Sequence, residues 1–81
     1  GVGMNIVIYT KSNCPNCTTA KQLLKSKGLE YEEHDVGTPE GLGSLQANVS
    51  AQFRQMPQII INRQRVGGLA GLQAALKQVN L

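Results

Sequence analysis

The 81-residue chain has a formal net charge of +3, and 41% of its residues are hydrophobic. A chain of this length encloses one core, so we expect a single domain. No apolar run approaches the roughly 20 residues that span a bilayer. The basic residues are scattered, without the dense cluster of a nucleic-acid-binding surface. The composition therefore argues against membrane and nucleic-acid partners, and we expect a monomeric, cytoplasmic protein.

The first unit predicted along the chain is a strand followed by a helix. Residues 1–3 are typical of an expression scar, so the domain is expected to cover residues 4–81 from Met4 onward. Ile6 to Tyr9 form a β-branched apolar run, which predicts a central strand buried on both faces. From Pro15 to Lys27 the hydrophobic spacing becomes helical, and the glycine that follows is expected to end that helix.

The second unit is predicted to be an edge strand and a second helix. Leu29 to Val36 has the polar character of a strand at a sheet edge. Thr38 is a suitable N-cap residue, with a proline at the first helical position. Leu42, Leu45 and Val49 follow at helical spacing, which predicts the second helix.

The last part of the chain predicts a hairpin and a third helix. Ile59 to Ile61 form a buried strand, a turn follows near Asn62, and a short strand ends at Val66. A third helix is predicted after this strand, because apolar residues recur every three or four positions and would form its core-facing side. They are Leu69, Leu72, Leu76 and Val79. The order βαβαββα predicts an α/β fold with one four-stranded mixed sheet and helices on both faces.

The segment "CPNC" joins the first predicted strand to its helix and holds both cysteines of the chain. Cys14 falls at the helix N-terminus, where we expect it to be exposed, and Cys17 lies one turn inside. Free backbone N–H groups and the helix dipole favour a thiolate at Cys14. Pro15 suits the first turn because the absence of its N–H has no consequence there.

This cysteine pair allows three interpretations. Two cysteines supply half of a tetrahedral zinc site, and the lone histidine, His34, lies in the predicted edge strand. A purely structural disulfide would close a very short loop and would be reduced in the cytosol. A redox-active dithiol at a βα junction is the interpretation that the position favours.

Three segments together resemble the glutaredoxins, a family of small thioredoxin-fold oxidoreductases. They are "IVIYTKSNCPNC", "QMPQIIIN" and "VGGLAGLQAAL", in the family's order and spacing. The resemblance implies a thioredoxin-like fold and thiol-disulfide exchange, with Cys14 as the nucleophile and Cys17 as the resolving thiol. It also implies glutathione as the reducing co-substrate, disulfide-containing proteins such as ribonucleotide reductase as partners, and no metal.

The resemblance also implies a glutathione-binding site. By position, its residues would be Lys11, Gln55, Met56, Pro57, Gly68, Leu69 and Ala70. Lys11 would lie near a glutathione carboxylate, and a cis bond before Pro57 would present the Met56 backbone to the ligand. Gly68 would allow close approach, and the amides of Leu69 and Ala70 at the helix start could bind a carboxylate.

All five acidic residues lie between positions 30 and 40. Since the second strand is expected at the far sheet edge, we expect a neutral to positive catalytic face, which would favour anionic glutathione. The chain also departs from the family at Asn16, Gln55, Met56 and Ala70, and the departure at Ala70 removes a partner for the amino group of glutathione, which would weaken its binding. A thioredoxin-reductase-type electron donor therefore stays open as an alternative. A separate alternative is an iron–sulfur carrier, in which two chains and two glutathiones would hold a cluster through Cys14.

Overall fold

The structure is a computed structural model, and it describes residues 5–48 and 55–78. Its elements follow the predicted order βαβαββα. The strands are β1 (Ile6–Thr10), β2 (Glu32–Asp35), β3 (Gln58–Ile61) and β4 (Gln64–Gly67); the helices are α1 (Pro15–Ser26), α2 (Pro39–Asn48) and α3 (Leu69–Gln78). The predicted domain start at Met4 and the expression scar, like Val49 and Val79, lie outside the described residues.

The four strands form one mixed sheet in the order β2-β1-β3-β4. β1 pairs with β2 in parallel, with Ile8 beside Glu33, and with β3 in antiparallel fashion. β3 and β4 form a hairpin whose two loop residues, Asn62 and Arg63, both have positive φ. Two positive φ values are typical of a type I′ turn. The predicted mixed sheet, with β2 at an edge, is confirmed.

Helices cover both faces of this sheet, as predicted. On one face, α1 and α3 pack their leucines and alanine onto the isoleucines of β1 and β3. On the other face, Leu45 of α2 packs near Tyr9 and Ile60. Tyr9 also stacks on His34, at 5.4 Å between ring centroids, and His34 pairs with a glutamate two residues before it. The fold is the four-stranded mixed sheet with helices on both faces that the sequence predicted, and it agrees with the thioredoxin-like fold that the resemblance implies.

Helix α1 ends as the sequence predicted. Gly28 has φ 69°, a conformation that glycine adopts without steric cost. The N–H of Gly28 donates to the Lys25 carbonyl, and that of Leu29 donates to the Leu24 carbonyl over 3.0 Å in each case. This pair of bonds is a Schellman motif, which satisfies the last carbonyl groups of the helix.

Helix α2 begins at the predicted cap. The Thr38 hydroxyl accepts a hydrogen bond from the Gly41 N–H at 3.0 Å and donates to the Asp35 carbonyl at 2.8 Å. These bonds tie the start of α2 to the end of β2. Leu45 is buried, whereas Leu42 on the same helix remains 42% exposed. No helix within residues 5–48 and 55–78 is long and apolar enough to span a membrane.

Candidate active site

The two cysteines lie at the start of α1 and are joined by a disulfide. Cys14 is the N-cap residue of the helix, and its sulfur accepts a hydrogen bond from the Cys17 backbone N–H at 3.1 Å. A backbone N–H at a helix N-terminus has no partner inside the helix, so it stabilises negative charge on the atom that it reaches. The position of Cys14 therefore favours a thiolate when the disulfide is reduced.

The two sulfur atoms differ in access, although less than expected. Cys14 retains 9% of its surface and Cys17 retains 2%. The prediction of an exposed Cys14 is therefore wrong in absolute terms, while the predicted ranking of the two residues is confirmed. Cys14 is covered because it belongs to the same buried cluster as Leu45 and Met56. A substrate disulfide must therefore reach Cys14 through a small opening.

The loop before β3 lies directly against the cysteines. The Met56-Pro57 peptide bond is cis, as the resemblance implies, and Pro57 is fully buried. The carbonyl oxygen of Met56 lies 3.6 Å from Cys14 Sγ. The Gln58 side-chain amide donates to the Gln55 carbonyl at 2.7 Å, which connects this loop to the start of β3. The Met56 backbone thus borders the reacting sulfur.

A groove of about 590 Å³ runs beside the disulfide. The end of β1, the first turns of α1 and the end of β2 all contribute to its walls. The lining includes Thr10, Lys11, Cys14, Cys17, Lys21, Glu33 and Asp35, and we call it the cysteine groove. The edge strand β2 is therefore part of the site.

The charge of the cysteine groove differs from the prediction. Lys11 and Lys21 line it together with Glu33 and Asp35, so two positive charges are balanced by two negative ones. The expectation that the acidic residues lie far from the cysteines is wrong. β2 is the parallel neighbour of β1, so the C-terminal ends of both strands lie on the same side of the sheet. The cysteine turn begins at that side.

Glu33 is held in place by two neighbouring elements. Its Oε2 atom accepts hydrogen bonds from the Thr10 hydroxyl at 2.8 Å and from Lys21 Nζ at 3.1 Å. Burial raises the pKa of Glu33, but the two hydrogen bonds and the charge of Lys21 outweigh this effect and lower the pKa below its ordinary value. Glu33 is therefore ionised at neutral pH and connects β2, β1 and α1 beside the cysteines.

Comparison with known proteins identifies the family. The glutaredoxin family model matches residues 6–66. A probable glutaredoxin of Synechocystis is 39% identical over 74 residues, which cover 90% of this chain and 83% of that protein. The structure of glutaredoxin 1 from Francisella tularensis has a TM-score of 0.75 at 25% identity, covering 95% of this chain and 96% of that one. The chain belongs to the glutaredoxin family.

A further similar structure is that of the glutaredoxin-like NrdH-redoxin from Escherichia coli. Its TM-score is 0.72 at 26% identity, and the match covers 95% of this chain and 96% of that one. Glutaredoxins are thiol-disulfide oxidoreductases, and this chain has the CxxC motif that such chemistry requires, in Cys14 and Cys17. Within residues 5–48 and 55–78, no group of three or more His, Cys, Asp and Glu side chains is arranged to hold a metal ion.

The residues predicted to bind glutathione are only partly brought together. Lys11 is exposed and lines the cysteine groove. Gly68 lies against the cis-proline loop, since a Cβ built on it would be 3.5 Å from the Pro57 carbonyl oxygen. Leu69 is half-buried and packs on the core, whereas Ala70 lines a different groove, between α1 and α3. Of the three residues predicted at the start of α3, Gly68 is thus the one that lies against the cis-proline loop.

Sequence reasoning missed three groove residues from separate elements, namely Thr10, Lys21 and Glu33. One signal was available for Lys21, because it follows Cys17 by four residues and so lies on the same face of α1. A second signal concerned Glu33, since consecutive parallel strands end at one sheet edge. The hydrogen bonds that join these residues depend on how α1 packs over β2, and no local pattern encodes that packing.

Proposed function

We propose that the chain is a dithiol glutaredoxin, a glutathione-linked electron carrier that reduces protein disulfides and glutathione mixed disulfides. The observation that carries this proposal is the position of Cys14 as the N-cap residue, with the Cys17 N–H donating to its sulfur. This arrangement stabilises a thiolate, which is the form of cysteine that attacks disulfides. The less accessible Cys17 would resolve the product.

The reaction proceeds in two exchanges at Cys14. The Cys14 thiolate attacks one sulfur of a substrate disulfide, forming a mixed disulfide and releasing the other sulfur as a thiolate that takes a proton from water. Cys17 then loses its proton and attacks Cys14 Sγ, which forms the Cys14–Cys17 disulfide and releases the second substrate thiol. Two glutathione molecules restore the dithiol and leave as glutathione disulfide.

Glutathione is proposed to bind across the cis-proline loop. Lys11 would pair with a carboxylate of the tripeptide, and the backbone of Gln55 and Met56 would bond to its main chain. The Met56 carbonyl supports this placement, because it lies 3.6 Å from Cys14 Sγ. Gly68, with Leu69 and Ala70 after it, would receive the other end of the ligand at the start of α3.

A second candidate differs in the electron donor, which would be a thioredoxin-reductase-type enzyme. The observation that favours it is the first turn of α3, which has no acidic residue and carries Ala70 where many glutaredoxins have a polar side chain. The NrdH-redoxin of Escherichia coli, a glutaredoxin-like protein with a thioredoxin-like activity profile, has a similar structure. A disulfide of ribonucleotide reductase is a candidate substrate in either case, and a monomer in the reducing cytoplasm is the proposed setting.

Turnover with each reductant separates these candidates. The protein is assayed with a glutathione mixed disulfide and with a protein disulfide, using NADPH with either glutathione and glutathione reductase or thioredoxin reductase. We expect turnover with glutathione and little with thioredoxin reductase; the reverse result would establish the second candidate.

The two cysteine variants test the division of labour in the same assay. Cys14→Ser should abolish turnover of both substrates. Cys17→Ser should retain activity toward the mixed disulfide, because that reaction needs one thiol, and lose most activity toward the protein disulfide. Equal losses in the two variants with both substrates would contradict the assigned roles.

A further inference from the structure

The ion pair between Lys21 and Glu33 has no part in the exchange chemistry proposed above, yet it borders the reacting cysteine. Both side chains line the cysteine groove beside Cys14, and Lys21 Nζ lies 3.1 Å from Glu33 Oε2. The two side chains are 31% and 36% exposed, so solvent screens them only in part. Each charge therefore acts on a thiolate in the same groove.

The pair has a fixed position because three elements hold it. Lys21 lies in the second turn of α1, and Glu33 lies in β2. The buried hydroxyl of Thr10 donates to the same carboxylate oxygen at 2.8 Å. Glu33 thus cannot turn away from Lys21 without losing the Thr10 bond as well. The two hydrogen bonds therefore hold the Glu33 carboxylate and the Lys21 ammonium together beside the cysteines.

Other charged and polar groups also face Cys14. The ionisable ones in the groove are Lys11 from the loop, Lys21 from α1, and Glu33 and Asp35 from β2. The loop before β3 contributes the Met56 carbonyl oxygen, while α2 contributes the apolar Leu45 to the cluster around Cys14. Asp35 accepts a hydrogen bond from the Gly37 N–H at 2.7 Å. Lys21 and Glu33 are the two of these charges that are joined to each other by a hydrogen bond.

We propose that Lys21 and Glu33 act on Cys14 as a compensated pair, in which each charge shifts the thiolate population of Cys14 and the partner opposes that shift. Lys21 favours the thiolate and Glu33 disfavours it, so their effects nearly cancel and the helix N-terminus is left as the main stabilising influence. Both are positioning residues, because each acts on Cys14 through its charge and neither forms or breaks a bond in the exchange. The inference deepens the proposed function, because it concerns the nucleophile of that reaction.

Opposite changes in the pKa of Cys14 are the expected result when either charge is removed. A unit charge about 10 Å from a thiolate in a water-filled groove shifts the pKa by about 0.3 to 0.6. Lys21→Met should therefore raise the pKa of Cys14 by about that amount, and Glu33→Gln should lower it by a similar amount. The double variant should return close to the parent. A pair that only supports the fold would give shifts in one direction.

The test measures the thiol directly, so that it does not depend on reductase activity. In a Cys17→Ser background, the pH dependence of iodoacetamide alkylation of Cys14 is followed by mass spectrometry. Two control variants each remove a charge of the same sign from a residue that does not line the cysteine groove. They are Lys25→Met, in the last turn of α1, and Glu30→Gln, before β2. Both control variants should leave the pKa of Cys14 within about 0.2 of the parent.

Opposite shifts that exceed the controls support the proposal, and shifts in the same direction or of control size overturn it. Should Glu33→Gln fail to fold, Lys21→Met and Lys21→Arg decide the question. The first must raise the pKa of Cys14, and the second must restore the parent value, because arginine keeps the charge. A failure of the proposed function would appear differently, as absent turnover with an unchanged pattern of alkylation shifts.

Discussion

The hydrogen bond from Thr10 to Glu33 offers a quantitative test of how β2 is attached to the redox site. Thr10→Val replaces the hydroxyl by a methyl group of nearly equal size, so it removes the bond without opening a cavity. The bond is 2.8 Å long, and Thr10 is only 4% exposed. Hydrogen bonds to charged groups contribute about 1.5 to 3 kcal/mol. Because water can reach the 36% exposed side chain of Glu33 and replace the lost partner, we expect the lower value, about 1.5 kcal/mol.

The pH dependence of this contribution follows from the pKa of Glu33. That pKa is lower in the folded protein than its ordinary value of 4.5. The ionised form therefore stabilises the fold fully above the unfolded-state pKa, and this stabilisation is lost as the pH falls through the folded-state pKa. A protonated carboxyl group still accepts from Thr10, but a neutral hydrogen bond is roughly half as strong as a charge-assisted one.

A double-mutant cycle isolates the bond. Urea unfolding is measured for the parent, Thr10→Val, Glu33→Ala and the double variant, all with the disulfide intact, at neutral pH and at an acid pH where Glu33 is protonated in the folded protein. The coupling energy should be about 1.5 kcal/mol at neutral pH and about half of that in acid. Thr10→Ser, which keeps the hydroxyl, is the matched control. A coupling energy within about 0.3 kcal/mol of zero at neutral pH, or one that acid leaves unchanged, would refute the reasoning.

Two further predictions concern backbone geometry, and both are measured by urea unfolding. Gly41→Ala should lower the free energy of unfolding by about 1 to 3 kcal/mol, because its Cβ would collide with the Asp35 carbonyl oxygen. In the same helix, a Cβ added at Gly43 would have no atom within 4 Å, so Gly43→Ala should raise the free energy of unfolding by about 0.5 to 1 kcal/mol. Equal effects of the two variants would contradict the placement of α2. Arg63→Gly should raise the free energy of unfolding by about 0.5 to 1 kcal/mol, since Arg63 has φ 69° in the β3–β4 turn, and a loss would argue against a type I′ turn.

The elements were predictable because each has a strong local signal. The apolar run of β1 and the glycine after α1 marked their boundaries correctly. The predicted strand from Leu29 to Val36 was too long, since β2 covers Glu32–Asp35. Leu29 and Tyr31 precede the strand but pack against the core. Their two-residue spacing resembles the alternation of buried and exposed residues in a strand, so the sequence predicted too early a start.

The site was less predictable than the fold, because its parts come from distant positions. The cysteines and their order of access follow from one motif at a helix start. The charge of the groove does not, since it depends on which strand lies beside β1. The prediction that the acidic residues of β2 lie in an edge strand is right. However, Glu33 and Asp35 lie toward the C-terminal end of that strand, beside Cys14. Strand order, and not composition, decides the charge around the sulfur.

The N-cap position of Cys14 links the chemistry of the protein to the integrity of a helix. Serine, aspartate and asparagine are preferred N-cap residues, so α1 begins at a weaker cap than any of these would provide. A thiolate accepts the Cys17 N–H more strongly than a neutral disulfide sulfur does. Each reduction should therefore tighten the first turn of α1, and each oxidation should loosen it. Catalytic turnover in this protein is at the same time a cycle of helix capping, and amide hydrogen exchange in that turn should follow the redox state.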